Sequence, residues 1–376
     1  MHPRVAAVAV LALSAVLTTA CTAVVPAWHE VRLPPGVQPS VIEPWEDTLL
    51  VGGQDVAGPR SVLLRVADDG TTAAVPLRAW DPNAARGDIV RLSAADRSLT
   101  ALSVTRSGAH GSQRWSVWQG DPADGLADQP QEFFTFHGHD AGPLLALARS
   151  GDGPVIIGTH GSRTGFEVSL WKRSGTVWTR HPATDPDVMD DPRRVLVVRS
   201  ASSAGTRLLL AGAVVDLAAG VRQSPAVWVG DASGSWQRID LPLPDPSGDP
   251  GGLAQATSVA CPDATGSTCW AAGWVHGRPV AWEVSPDGIA TASVLQGTPP
   301  DGVDPSALVA LTPAGALIAP NASSHTLALR CQAGWRSVPA PDAEPVLLLQ
   351  AARAGLYAIT GTDTARTLWR TELPGC

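Results

Sequence analysis

Short apolar runs separated by turns rich in glycine, proline and aspartate recur along the chain, and none carries the sustained 3.6-residue period of a long helix. The pattern predicts strands and leaves α/β and helical-solenoid folds with little support. The runs themselves repeat as a unit: an apolar strand with a small residue near its end, a polar loop, then a strand that usually contains tryptophan. This unit reads LLVGG (49–53) to LLRV (63–66), LTALS (99–103) to VWQG (117–120), VIIGT (155–159) to LWKR (170–173) and LLAGA (209–213) to VWVG (227–230). It continues as WAAGW (270–274) to AWEV (281–284), ALIAP (316–320) to ALRC (328–331) and LYAIT (356–360) to LWRT (368–371). The second strand is anchored in turn by Leu64, Trp118, Trp171, Trp228, Trp282, Leu329 and Trp369, so seven copies lie 40 to 57 residues apart. That period suits four short strands and their turns.

A further apolar run precedes the units, as in PLLALAR (143–149), RVLVV (194–198), SALVAL (306–311) and VLLLQ (346–350), and supplies an innermost strand a before strands b and c. Proline stands just ahead of strand a in six units, at Pro39, Pro143, Pro192, Pro250, Pro305 and Pro345, where no ladder hydrogen bond is lost; the second unit enters through Asp88. An outer strand d follows a glycine-rich turn in SWQRIDLP (235–242), VWTRHPA (177–183) and GWRSVPAP (334–341). The seventh unit lacks a strand d before Cys376, whereas AWHEVRLP (27–34), ahead of the first unit, has the look of one. The two ends should therefore meet. The expectation is an all-β, seven-bladed β-propeller, with six or eight blades as alternatives, whose last blade is closed by the N-terminal strand. Such closure protects sheet edges that would otherwise template aggregation. The repeated tryptophans are read as fillers between twisted sheets.

Ahead of the repeats, Arg4 is followed by an uncharged run from Val5 to Leu17 and then by Thr18, Thr19, Ala20 and Cys21, the order of an export signal. The run is short against the roughly 20 residues of a spanning helix, which argues against an integral membrane protein. A cysteine after Thr-Thr-Ala resembles the lipobox of bacterial lipoproteins, whose thiol is acylated and becomes the new N-terminus, although Thr18 stands where leucine is usual. An ordinary secretory signal with a chance cysteine is the alternative. The resemblance implies an export signal over 1–20, a lipidated tether over 21–27 and one domain over 28–376, held at the outer face of the cytoplasmic membrane by the lipid alone. One lysine, Lys172, against 26 arginines, with abundant alanine, glycine and proline, is similar to the usage of actinobacterial proteins. The formal charge of −8 argues against a nucleic-acid partner. A hydrophobic content of 44% makes the chain globular despite its many glycines and prolines.

Cys21 is the odd one of five cysteines, which an anchor explains and a disulfide count does not. Cys261 and Cys269 bracket PDATGST at the two ends of one a–b hairpin, a spacing that can close a local disulfide. The stretch resembles cysteine-bracketed Cys-Trp-Ala hairpins of some bacterial propeller repeats, over about one blade. Cys331 ends strand c of the sixth unit, and Cys376 follows strand c of the seventh, so both belong to the bottom face and should pair. A zinc site is the competing reading, less suited to an exported chain.

The c–d turns RSGTVW (173–178) and GDASGSW (230–236) look like degenerate Asp boxes, a structural turn of sialidase-like propellers, with Arg173 replacing the aspartate in one and Ser233 at the glycine position of the other. A sialidase would need a tyrosine nucleophile, and the one tyrosine, Tyr357, falls in an interior strand. No phosphate loop, serine nucleophile elbow or His-Glu-x-x-His motif is present, so no catalytic residue, cofactor or metal is assigned. The acidic connections 185–191 and 245–249 lack the spacing of a calcium loop and read as solvated loops.

Propeller connectivity places the b–c loops and d–a connections on one face, the top. The b–c loops there carry Arg60; His110 and Arg114; His160 and Arg163; Arg222; His276 and Arg278; His325; and Arg366. FHGHD adds His137, His139 and Asp140. Two plainer explanations stand beside a ligand face: turn chemistry for the His-Gly pairs, and ion pairs between these arginines and aspartates of the d–a connections. The expected function is a monomeric binding or assembly scaffold of the cell envelope, with an envelope protein, peptide or anionic glycan over the top face. The alternatives are a cell-wall carbohydrate-active hydrolase or lyase and a periplasmic metal-handling protein.

Overall fold

A computed structural model describes residues 27–95, 97–108, 111–150, 153–218, 220–244, 253–262, 267–285, 287–297, 306–313, 315–320, 325–353 and 355–376. They form seven small sheets arranged as a seven-bladed β-propeller. From the channel outward, strands a to d of blade 1 are Val37–Trp45, Thr48–Asp55, Arg60–Val66 and Thr72–Ala74. Blade 2 comprises Asp88–Ala95, Ser98–Ser107, Ser112–Asp121 and Gly125–Asp128. Blade 3 comprises Ala141–Ser150, Gly153–Gly161, Phe166–Ser174 and Val177–Pro182. Blade 4 comprises Arg194–Ala204, Arg207–Asp216, Arg222–Asp231 and Trp236–Asp240. Blade 5 comprises Ala254–Ala260, Cys269–Val275, Arg278–Val284 and Ala290–Val294. Blade 6 comprises Leu308–Thr312, Gly315–Ala319, Thr326–Cys331 and Gly334–Pro339. Blade 7 takes Val346–Ala352, Gly355–Gly361 and Arg366–Thr371 from the end of the chain and His29–Glu30 from its beginning.

That last pairing is the expected closure. His29 lies opposite Arg370 and Glu30 opposite Trp369, and the Val31 N–H continues the ladder to the Leu368 carbonyl at 2.9 Å. Blade 2 differs from the rest in a fifth, outermost strand, Leu77–Arg78, which runs parallel to strand d.

Strand a bulges at the same place in six blades, with the extra residue at Ser40, Val90, Leu145, Arg199, Thr257 and Leu347. The small residue of the repeat answers this bulge. Gly53, Ser103, Gly158, Gly212, Gly273 and Thr360 each pair with the residue just before it. A Cβ at Gly212 would stand 2.1 Å from the Val197 carbonyl oxygen, and one at Gly273 would stand 2.0 Å from that of Gln255. At these two positions a side chain would force the strands apart, whereas blades 2 and 7 carry Ser103 and Thr360 opposite the same bulge.

The same position decides how each strand-c indole is satisfied. Where it is glycine, Trp171, Trp228 and Trp282 donate Nε1–H to the carbonyls of Thr135, Asp187 and Pro242 in the d–a connections, at 2.7–2.8 Å. Where it is Ser103 or Thr360, Trp118 and Trp369 donate to that hydroxyl instead, at 2.9 and 2.8 Å. These tryptophans pack between blades as predicted: Trp118 and Trp228 are fully buried. Seven clusters of buried residues fill the seven interfaces between neighbouring blades, including the closing one, where Val31, Ile42, Leu49, Tyr357 and Leu368 meet. Burying one indole removes on the order of 200 Å² from water, worth roughly 5 kcal/mol before ordering costs.

Both expected disulfides are present, Cys261–Cys269 and Cys331–Cys376. Among the described residues no helix is long and apolar enough to cross a membrane. Cys21 lies outside the described residues.

Candidate functional site

The predicted ring of top-face cations separates into different environments. Arg60 is held by Asp55 of its own blade, through Nη2 at 2.9 Å and Nε at 3.0 Å. Arg366 turns into the seam between blades 7, 1 and 2, where Nη1 donates to the Ser40 hydroxyl and lies 3.5 Å from Asp88 Oδ2. Burial pushes the Asp88 carboxyl up, while the Ser40 hydroxyl and Arg366 pull it down. His276 (φ +50°) and His325 (φ +49°) occupy the left-handed conformation, which for His276 completes a tight His-Gly turn between Val275 and Arg278. Turn chemistry thus accounts for them. His160 is half-buried, with Nδ1 3.0 Å from the Gly161 carbonyl. Arg163, Arg222 and Arg278 are exposed and make no ion pair among the described residues, and His110 lies outside those residues.

In the connection between blades 3 and 4, Asp191 lies 3.4 Å from the Arg194 guanidinium, while the other aspartates serve the backbone. Asp190 is buried and accepts the N–H groups of Phe166 and Leu196, both at 2.7 Å. Asp185 accepts from Asp187 and from Trp236 of the next blade. The acidic connection 185–191 is therefore less a solvated loop than a set of caps joining blades 3 and 4. Asp249, Asp301 and Asp304, in the d–a connections ahead of blades 5 and 6, lie outside the described residues. In the Asp-box-like turn of blade 4, Asp231 Oδ1 accepts the Ser233 N–H at 2.7 Å, and the Ser233 hydroxyl leads in drawing its carboxyl below the usual range. That turn is structural.

Blades 2 and 3 gather what remains. The connection between them forms a short helix, Phe133–Phe136, which ends at His137. Trp115 N–H donates to His137 Nε2 at 2.9 Å, so the ring hydrogen sits on Nδ1 and faces the Phe133 carbonyl at 3.1 Å. Burial, with the nearby Arg114 charge second, lowers the His137 pKa. His137 thus braces strand c of blade 2 against the connection to blade 3. Arg114 lies 4.9 Å over the Phe133 ring, in cation–π geometry. His139 Nε2 is 3.0 Å from Asp140 Oδ1. Arg114, Phe133, His137 and His139, with Arg106 and Gln113, line a cleft of about 480 Å³.

The top face is unexpectedly apolar over several blades. Phe134 and Trp80 are each 76% exposed, and Val56, Phe133, Phe166, Leu217, Val221 and Leu253 are exposed on b–c loops or d–a connections. All four phenylalanines of the chain lie at this end of blades 2 and 3. That clustering, in a chain that fills its interior with tryptophan and aliphatic residues, was the available signal for the site.

The channel is lined by groups that bind one another across blades. Ala94 N–H donates to Glu43 Oε1 at 3.2 Å, and burial pushes the Glu43 carboxyl up to about 7. Arg91 Nε donates to the Leu145 carbonyl at 2.7 Å, and Arg199 Nε to Gln255 Oε1 at 3.1 Å. Among the described residues no cluster of His, Cys, Asp and Glu forms a metal-binding group. The interior placement of Tyr357 in strand b of blade 7 agrees with its sequence reading. No protein-family model matches the chain, and no curated protein sequence matches it.

Proposed function

We propose that this protein is a lipid-anchored, extracytoplasmic docking scaffold of the cell envelope that holds an acidic, partly apolar segment of an envelope protein over the top face of blades 2 and 3. The carrying observation is the convergence of Arg106 and Arg114 on a cleft beside exposed Phe133 and Phe134. A guanidinium suits a carboxylate, and the Phe133 ring holds that of Arg114 in place. Exposed Phe133 and Phe134 at the cleft favour a protein or peptide over an anionic glycan, because such apolar groups mark protein contact sites. Two disulfides suit an oxidising compartment outside the cytoplasm. The lipobox-like approach to Cys21 supports the anchor.

The test is capture of a partner by the full-length protein from envelope extracts, followed by direct binding of the purified partner. Arg106→Gln combined with Arg114→Gln should weaken that binding roughly thirtyfold, the scale of one interface hot spot, and added salt should weaken the wild type. Arg163→Gln combined with Arg222→Gln, away from the cleft, should leave it nearly unchanged. Equal binding by the Arg106/Arg114 variant and the wild type refutes the cleft. Mass spectrometry of the mature N-terminus should find a diacylglyceryl adduct on Cys21, and Cys21→Ala should release the protein from membranes.

A further inference from the structure

Both ends of the described chain are fastened to one element, the outer hairpin of blade 6 formed by Thr326–Cys331 and Gly334–Pro339. Trp28 Nε1 donates to the Pro339 carbonyl at 3.0 Å, Arg336 Nη2 donates to the Gly375 carbonyl at 2.6 Å, and Cys376 is bonded to Cys331. Ala27 therefore leaves the fold beside this hairpin. Only six peptide units separate it from Cys21, a reach of at most about 22 Å even when fully extended. The hairpin also has the composition of a membrane-interface contact. Trp335 is partly exposed, meets the partly exposed Trp270 edge to face at 5.5 Å, and lies under the Arg330 guanidinium at 5.9 Å. Arg330 and Arg336 make no ion pair among the described residues, although Glu283, in register with Trp270, and Glu372 lie on the same side of the ring. Tryptophan favours the headgroup level of a bilayer, and arginine is drawn to anionic lipid.

We infer that the outer hairpin of blade 6, with Trp335, Arg330 and Arg336, is the surface that rests on the anionic lipid bilayer, so that the propeller stands on this edge. This rests on the proposed anchor at Cys21. In the ring the cleft between blades 2 and 3 lies three blade interfaces one way and four the other from the junction of blades 6 and 7, nearly opposite. The docking face is thus presented away from the membrane that holds the protein.

Hydrogen exchange on the full-length lipidated protein, reconstituted in phosphatidylcholine vesicles with or without phosphatidylglycerol, tests the inference. Amides of 326–339 should exchange roughly fivefold more slowly with phosphatidylglycerol present, while those of 112–142 should not change. Arg330→Gln combined with Arg336→Gln should abolish that protection without detaching the protein. Protein that stays on the vesicles without protection of 326–339, or with protection of 112–142, overturns the orientation alone. Protein that carries no lipid and does not sediment with vesicles overturns the anchor and the orientation together.

Discussion

Replacing Ser103 with alanine deletes a single oxygen, yet it should cost this protein about 2 kcal/mol of stability. Ser103 and Trp118 are both completely buried, and the indole Nε1–H donates to the hydroxyl at 2.9 Å. The void left is less than a methyl group, so the cavity contribution is small. The indole N–H, however, loses its acceptor in a site closed to water, and an unpaired buried donor costs about 1–3 kcal/mol. In blades 3 to 5 a carbonyl of the d–a connection fills that role, but in blade 2 the indole points to strand b. Trp118→Phe removes the donor, so Ser103→Ala should be nearly free in that background, with a coupling energy of about 1–2 kcal/mol. Urea unfolding of the oxidised protein, followed by far-ultraviolet circular dichroism for the wild type, both single variants and the double variant, measures this cycle. A Ser103→Ala protein within about 0.5 kcal/mol of wild type, or a coupling near zero, refutes the claim that the small-residue position sets indole satisfaction.

Two more outcomes follow from the same geometry. The Glu43 carboxyl titrates near 4.5 when unfolded and near 7 in the channel, so the folded state holds its proton longer; its stabilising share is complete below pH 4.5 and is lost as pH rises through 7. Glu43→Gln should therefore melt with the wild type at pH 4 and be more stable at pH 8, by up to about 3 kcal/mol in thermal scans. Loop lengths of 45 and 8 residues rank the disulfides: Cys376→Ser with Cys331→Ser should cost about 4 kcal/mol, and Cys261→Ser with Cys269→Ser about 2.5, by denaturant titration.

Much of the ring was legible because each blade repeats the same physical solution. Strand-c tryptophans, small strand-b residues and the orphan strand at 27–34 sufficed to count blades and close the circle. The strand-a bulges were not legible, since register depends on the partner strand; only their imprint, the glycine opposite, showed in the sequence. The site was harder still. A list of top-face cations cannot reveal that Arg60 and Arg366 are consumed by Asp55 and Asp88, or that burial and the Arg114 charge lower the His137 pKa while two hydrogen bonds fix its ring. Arg114 and Phe133 meet only because a b–c loop and the following d–a connection fold onto each other. Of the predicted face, Arg114, His137 and His139 converge; among the described residues the other predicted ones do not join them.

The pairing of Val31 with Leu368 sets the order in which this molecule can be finished. A chain that emerges N-terminus first presents one edge strand long before its partner exists, and more than three hundred residues must pass before the loop between them can close. Until then the ring has two unfinished ends, the outer strand of blade 7 has no inner strands to pair with, and Cys331 has no Cys376 to meet. Earlier blades can stack on one another, but the last interface waits for the last residues. Protection of the nascent chain by helpers, or speed in completing its release, thus matters more for this architecture than the strength of any one blade.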